Sequence, residues 1–222
     1  MSVSTNLTQI KATLPPSVTL VAVSKFHPLE AIQEAYATGH RVFGESRVQE
    51  LVEKQRQLPD DIEWHLIGHL QTNKVKQVVP FVGLIHSVDS LKLLQEINKE
   101  AARINRVVPC LLQIHIAEEP DKFGFSPDAC TDLITSGQLL DYKHVSVRGL
   151  MGMATFTDNT AQVQREFEGL KQLFDTLKHT HYPSDPTFSV LSMGMSDDYP
   201  LAVQAGSTMV RIGSRIFGDR VY

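Results

Sequence analysis

Cysteine is scarce in this chain. Cys110 and Cys130 are the only two and stand far apart, one in an apolar run and one in a predicted helix, so packing in a reducing, cytoplasmic setting is expected and no disulfide framework. Long apolar runs are missing as well. Nowhere do roughly eighteen apolar residues follow one another, and the polar opening, Met1 to Asn6, lacks the apolar centre of a signal peptide, so no membrane partner is expected. Basic charge is not in excess: Lys and Arg number 21 against 25 Asp and Glu, for a net charge of −4. Without a basic run or an arginine stripe, there is no phosphate footprint for nucleic acid. Familiar catalytic signatures are absent too, among them Gly-x-Gly-x-x-Gly, the Walker loop, the Gly-x-Ser-x-Gly elbow and His-Glu-x-x-His. His65 and His69 invite a metal reading, but no acidic or cysteine partner stands at ligand spacing, so no metal is expected.

What the chain does have is a regular alternation of strand and helix signals. Residues 20–25 form an apolar run without polar alternation, as in a strand buried on both faces of a parallel sheet, and the run ends on Lys25. Similar strands are expected at 41–43, 62–67, 81–85, 107–114, 145–150, 188–191 and 208–212, with helices between them. Pro28 opens one helix, Ser46 is placed to cap the next, and Asp89-Ser90 caps a third. In that third helix Leu91, Leu94, Ile97, Ala101 and Ile104 recur at helical steps, with Arg103 and Arg106 at its carboxyl end. Eight strands alternating with helices over 222 residues predict an α/β fold, a single-domain (β/α)8 barrel covering residues 1–222. No linker or internal repeat divides it.

The working face of such a barrel is the carboxyl end of its strands, and phosphate is frequently held after strands seven and eight. Ser192, Gly194 and Ser196 follow the seventh strand here, and Gly213 and Ser214 the eighth; simple turns are the other reading of both. Lys25 leaves the core at the end of the first strand. There a desolvated amine is suited to imine formation with an aldehyde, while a merely solubilising charge is the alternative. Arg211 lies within the eighth strand, so its partner should be an anion, a ring acceptor or a barrel-lining carboxylate such as Glu45 or Asp89. Met151, Met153, Met193 and Met195 read as core filling or as the floor beneath a flat aromatic ligand, and the long loop from His115 to Pro127 as part of a site.

Several segments together resemble the pyridoxal phosphate homeostasis protein family. They are Val21-Ala22-Val23-Ser24-Lys25, Phe43-Gly44-Glu45, Val48-Gln49-Glu50, the stretch from Trp64 to Lys74, Gly149-Leu150-Met151, Leu191-Ser192-Met193-Gly194-Met195-Ser196, and the ending from Gly206 to Gly218. The likeness runs almost end to end. That family is similar to the barrel domain of alanine racemase, which implies a fold-type III barrel binding pyridoxal 5′-phosphate (PLP) as an internal aldimine on Lys25. The resemblance further implies phosphate contacts from Ser192, Met193, Gly213 and Ser214, with Arg211 facing the pyridine nitrogen and so weakening the ring as an electron sink. The chain departs from the family pattern at Ser46, where asparagine is usual, and at Arg47, where an aromatic is common.

The racemases with this barrel add a β-domain that completes the active site and the dimer, whereas this chain ends at Tyr222, soon after the eighth strand. Without a second acid or base from such a domain, the resemblance implies a monomeric PLP-binding protein. Such a protein holds and releases the cofactor for vitamin B6 and amino-acid balance, with PLP-dependent apoenzymes as its prospective partners. A small PLP-dependent amino-acid racemase, with Lys25 and a tyrosine or histidine exchanging the α-proton, is the alternative. An unliganded scaffold remains only if Lys25 forms no imine.

Overall fold

The computed structural model describes residues 2–119 and 123–218. Eight parallel strands close into a barrel in chain order: β1 Thr19–Val23, β2 Val42–Glu45, β3 Glu63–Leu66, β4 Leu84–Val88, β5 Val108–Ile114, β6 Val145–Gly152, β7 Val190–Ser192 and β8 Met209–Ile212. Closure is made by β1 on β8, with Val21 opposite Arg211. The expected α/β barrel is therefore the observed architecture. Helix α1, Val3–Thr13, precedes the barrel, and α2 (Leu29–Ala37), α3 (Val48–Gln57), α4 (Val75–Val78), α5 (Leu91–Arg103), α6 (Pro127–Thr135), α7 (Thr160–His181) and α8 (Tyr199–Gln204) lie between strands. A last short turn, α9 Ser214–Phe217, follows β8. Among the described residues no helix is long and apolar enough to cross a membrane.

Alternation along each strand divides the core in two. Leu20, Ala22, Phe43, Ile85 and Leu112 point outward into the large layer between sheet and helices, whereas Val21, Leu84, Leu111, Met151 and Met209 form a small apolar cluster inside the barrel. Polar residues in the same inward rows therefore face one another across the barrel or its mouth. Both cysteines are buried, Cys110 in β5 and Cys130 in α6, and burial pushes both thiols up, Cys130 to about 12.

Several details differ from the sequence reading, among them β7, which is Val190–Ser192 and not 188–191, and β6, which runs on to Gly152. β4 begins three residues later than expected, because Val78, Val79 and Val82 belong to α4 and its exit and Gly83 leads into the strand. Ser46 does not cap α3, whose first turn starts from Arg47 without a side-chain cap. Ser90 does cap α5, accepting from the Leu93 N–H, but Ile104 at the far end of the apolar stripe is 49 % exposed. Arg106 turns away from α5 and donates to the carbonyls of Val79 and Val82. Of the loop from His115 to Pro127, residues 120–122 lie outside the described residues, as do residues 219–222 at the chain end. The described part folds back on β5, where the Phe125 N–H donates to Gln113 O and the His115 N–H to Phe125 O.

Candidate functional site

A cavity of about 410 Å³ opens at the carboxyl ends of the strands. Lys25, Arg211, Gly213 and Ser214 line it together with Ser196, Met195, Met153 and His69. Its volume falls in the range of small-molecule sites.

Lys25 reaches the cavity because β1 stops at Val23 and the next residues turn under firm restraint. The Ser24 N–H donates to Gly44 O, and the His27 N–H closes the turn onto Ser24 O. Phe26 takes φ 68°, a left-handed conformation that a bulky residue adopts only when its surroundings enforce it. Here the Phe26 N–H donates to Glu50 Oε1 at 2.6 Å, and the Arg47 guanidinium sits 4.9 Å over its ring. Arg47, one of the two departures from the family pattern, thus covers the residue after Lys25, and Ser46, the other, lies on the cavity wall. Behind this turn stands a buried cluster. Lys54 Nζ donates to Ser24 O (2.8 Å), Glu45 Oε1 (2.8 Å) and Glu50 Oε1 (2.7 Å), while the Ser24 hydroxyl donates to Glu45 Oε1 at 2.6 Å. The second Glu45 oxygen is buried without a hydrogen bond, and burial pushes this carboxyl up to about 7 against the opposing pull of the Lys54 ammonium. Lys54 was legible in part, since it lies on one helical face with the buried Leu51 and Leu58.

Arg211 enters from β8 with 4 % of its surface exposed. The carboxylates considered for it lie elsewhere: Glu45 points outward to Lys54, and Asp89 meets His69 Nδ1 at 2.9 Å. Its guanidinium instead donates to two neutral acceptors, Ser192 Oγ at 2.6 Å and Gly152 O at 3.0 Å. Burial brings its pKa down to about 10, so it remains a cation at neutral pH at the cavity floor.

The two loops expected to hold phosphate contribute unequally. Gly213 and Ser214 stand on the cavity wall. Ser192 and Met193 do not: the Ser192 hydroxyl is engaged by Arg211 and His86, and Met193 is fully buried with its N–H donated to Met209 O. Their places on the wall are taken by Met195 and Ser196. Ser196 Oγ accepts from the Gly213 N–H at 3.2 Å, which leaves its own proton to donate. Gly194 makes this loop possible. Its φ is +94°, and a Cβ there would lie 2.5 Å from Ala202 Cβ. Gly194→Ala is expected to destabilise the fold by about 1–3 kcal/mol, seen as a lowered thermal midpoint. An unchanged midpoint would show that the loop relaxes without this turn.

Of the methionines at 151, 153, 193 and 195, Met151 and Met193 are core, whereas Met153 and Met195 line the cavity. Phe123, stacked on His69 at 4.3 Å, and Phe156, 88 % exposed, add apolar surface at the rim. His65 lies away from His69, inside the barrel on Glu63 and His86. The sequence reading missed His86, although a histidine between Ile85 and Ser87 in an apolar strand was a signal. It lies one residue beyond the strand expected at 81–85.

The residues suit PLP: an amine for an aldehyde, a buried guanidinium hydrogen-bonded to two neutral acceptors for a ring acceptor, and small or hydroxylic residues for a phosphate. Comparison with known proteins agrees. The profile of the alanine racemase N-terminal domain family matches residues 2–221. A pyridoxal phosphate homeostasis protein of Pasteurella multocida is 38 % identical, over 100 % of this chain and 99 % of that one. The structure of PipY from Synechococcus elongatus with PLP bound superposes with a TM-score of 0.86 at 39 % identity, covering 98 % of this chain and 100 % of PipY. An alanine racemase of Clostridium difficile shares the fold, with a TM-score of 0.79 at 16 % identity, over 98 % of this chain and 56 % of its own.

Proposed function

The chain belongs to the alanine racemase N-terminal domain family, and we propose that it binds PLP at the barrel mouth and serves intracellular PLP homeostasis by holding and releasing that cofactor. The observation that carries this reading is Arg211. A buried cation whose guanidinium, among the described residues, is hydrogen-bonded to a hydroxyl and a carbonyl alone, in the same cavity as a lysine amine, keeps N–H donors for a further acceptor. PLP, when bound, supplies an aldehyde able to condense with an amine and a ring nitrogen able to accept a hydrogen bond. Lys25 is the amine, Arg211 the donor at the ring, and Gly213, Ser214 and Ser196 the surroundings of the phosphate. A cationic arginine at the ring keeps its nitrogen unprotonated, which suits storage better than carbanion chemistry. Prospective recipients are PLP-dependent apoenzymes, and the protein acts as a cytoplasmic monomer.

Reductive trapping of the purified protein with borohydride, followed by peptide mapping, tests the reading: the adduct is expected on Lys25 alone. An adduct elsewhere, or none after incubation with PLP, removes it. Arg211→Ala and Ser214→Ala are each expected to weaken PLP retention, by about tenfold, with the barrel still folded by circular dichroism. Wild-type retention in both would place ring and phosphate differently.

One observation favours a second reading, an amino-acid racemase. His69 lines the same cavity as Lys25 and is oriented by Asp89, the usual arrangement of a general acid or base. Lys25-dependent exchange of solvent deuterium at the α-carbon of an amino acid would establish it.

A further inference from the structure

A polar string crosses the inside of the barrel from its amino end to the cavity floor. Glu63 Oε1 lies 3.0 Å from His65 Nε2, His65 Nδ1 3.0 Å from His86 Nε2, His86 Nδ1 3.0 Å from Ser192 Oγ, and Ser192 Oγ 2.6 Å from Arg211 Nη1. The Glu63 side chain is 55 % exposed, whereas His65, His86 and Ser192 are at most 1 % exposed.

One order of protons gives every donor in this string an acceptor. Arginine has donors and no acceptor, so Ser192 Oγ must accept from Arg211. The Ser192 proton then goes to His86 Nδ1, which must be bare. A neutral His86 carries its proton on Nε2 and gives it to His65 Nδ1, which must also be bare. His65 in turn donates from Nε2 to Glu63, an acceptor-only carboxylate. A proton on His86 Nδ1 would instead make Ser192 Oγ accept twice and leave the Ser192 proton without an acceptor among the described residues, and a proton on His65 Nδ1 requires either that arrangement or two N–H groups head to head. The surroundings support the order at both ends. Burial, and then the Arg211 cation beyond Ser192, hold His86 well below the ordinary histidine range and so neutral, and the hydrogen bond from His65 keeps the Glu63 carboxyl below its ordinary value.

We infer that His86 and His65 are positioning residues for Arg211: as Nε2–H tautomers they commit Ser192 to accepting, and so fix the guanidinium at the floor of the cavity under the direction of a carboxylate at the opposite end of the barrel. Apolar side chains would fill the same interior, as Val21, Leu84 and Leu111 do in the neighbouring rows. What only this string provides is direction. The effect on the cofactor rests on the PLP reading; the proton order does not.

The experiment therefore has two arms. Nitrogen-15 NMR of histidine-labelled, ligand-free protein at neutral pH is expected to show both His65 and His86 protonated at Nε2 and bare at Nδ1; a proton on Nδ1 of either ring overturns the inference. In PLP-treated protein, His86→Leu removes the acceptor for Ser192 and is expected to cut PLP retention by about tenfold and to shift the absorption band of the bound cofactor. His86→Asn, whose amide oxygen can take the Ser192 proton in place of Nδ1, restores most of both. Wild-type retention and spectrum in His86→Leu overturn the positioning role. If His86→Leu does not fold, Glu63→Leu replaces it, expected to give a severalfold loss that a purely local role for Glu63 would not produce. If the unmutated protein takes up no PLP, the proposed function fails while the NMR arm still decides the proton order.

Discussion

Replacing Lys25 with alanine is expected to leave a folded protein that retains no PLP through borohydride reduction and whose affinity for added PLP falls by at least about 100-fold. The fold should be little affected. Lys25 is half-buried at the rim, and its backbone is held through its neighbours: Ser24 by Gly44 and Lys54, Phe26 by Glu50. Thermal midpoints of Lys25→Ala and the parent should therefore agree to within the effect of about 1 kcal/mol. Lys25→Arg separates charge from nucleophilicity, because guanidinium keeps the positive charge at any accessible pH but offers no amine for condensation. If Lys25→Arg retained PLP as well as the parent, the cavity would hold the cofactor by its charge and not through a covalent bond. The contrast with Arg211→Ala is informative, since that variant keeps the amine and is expected to lose only the ring contact.

Much of this site was legible in the sequence because parallel barrels leave a strong trace. Strands buried on both faces appear as runs such as Leu20 to Val23 and Cys110 to Leu112, and the residue that follows such a run stands at the carboxyl rim. Lys25, Gly213 and Ser214 stand on the cavity wall for this reason. Errors arose where local signals compete. The valines of α4 and its exit, Val78, Val79 and Val82, extend the apolar run ahead of Leu84, so the sequence places the fourth strand early and leaves His86 outside it. Ser192 and Met193 lie in the expected glycine-serine segment, but the period of two turns Ser192 into the barrel and Met193 into the outer layer. Only three-dimensional register tells their positions from those of Met195 and Ser196. The pairing of Lys54 with Glu45 was invisible for another reason: nine residues separate the two, and Glu50, four residues before Lys54, looks like the partner of an ordinary exposed helical pair.

That buried pairing has the largest expected effect on stability. Lys54→Met keeps most of the aliphatic volume and removes the ammonium, which leaves Glu45 buried on the Ser24 hydroxyl alone and the Ser24 carbonyl without its side-chain donor. Breaking one side of a buried pair costs about 3–5 kcal/mol when the orphan stays charged. In a chain of this length that corresponds to a thermal midpoint lower by roughly 2–4 °C per kcal/mol. Glu45 escapes the charge by taking up a proton, and this fixes the sign of the pH dependence. Its folded value already lies near 7, above the ordinary 4.5, so the native state holds this proton more tightly than the unfolded chain does. The associated stability is complete below about 4.5 and is lost as pH rises through 7. Without Lys54 the folded value rises further, so Lys54→Met should approach the parent near pH 5 and fall well below it at pH 8. A deficit independent of pH would mean that packing, not the orphaned carboxylate, sets the loss. Adding Glu45→Gln removes the titrating group, and the double variant should recover roughly 0.5–3 kcal/mol at pH 8 and show no such slope. Because Lys54 also holds the turn that presents Lys25, PLP retention in Lys54→Met should fall along the same pH profile, while a retention that ignores pH would disconnect the buried cluster from the presentation of the amine.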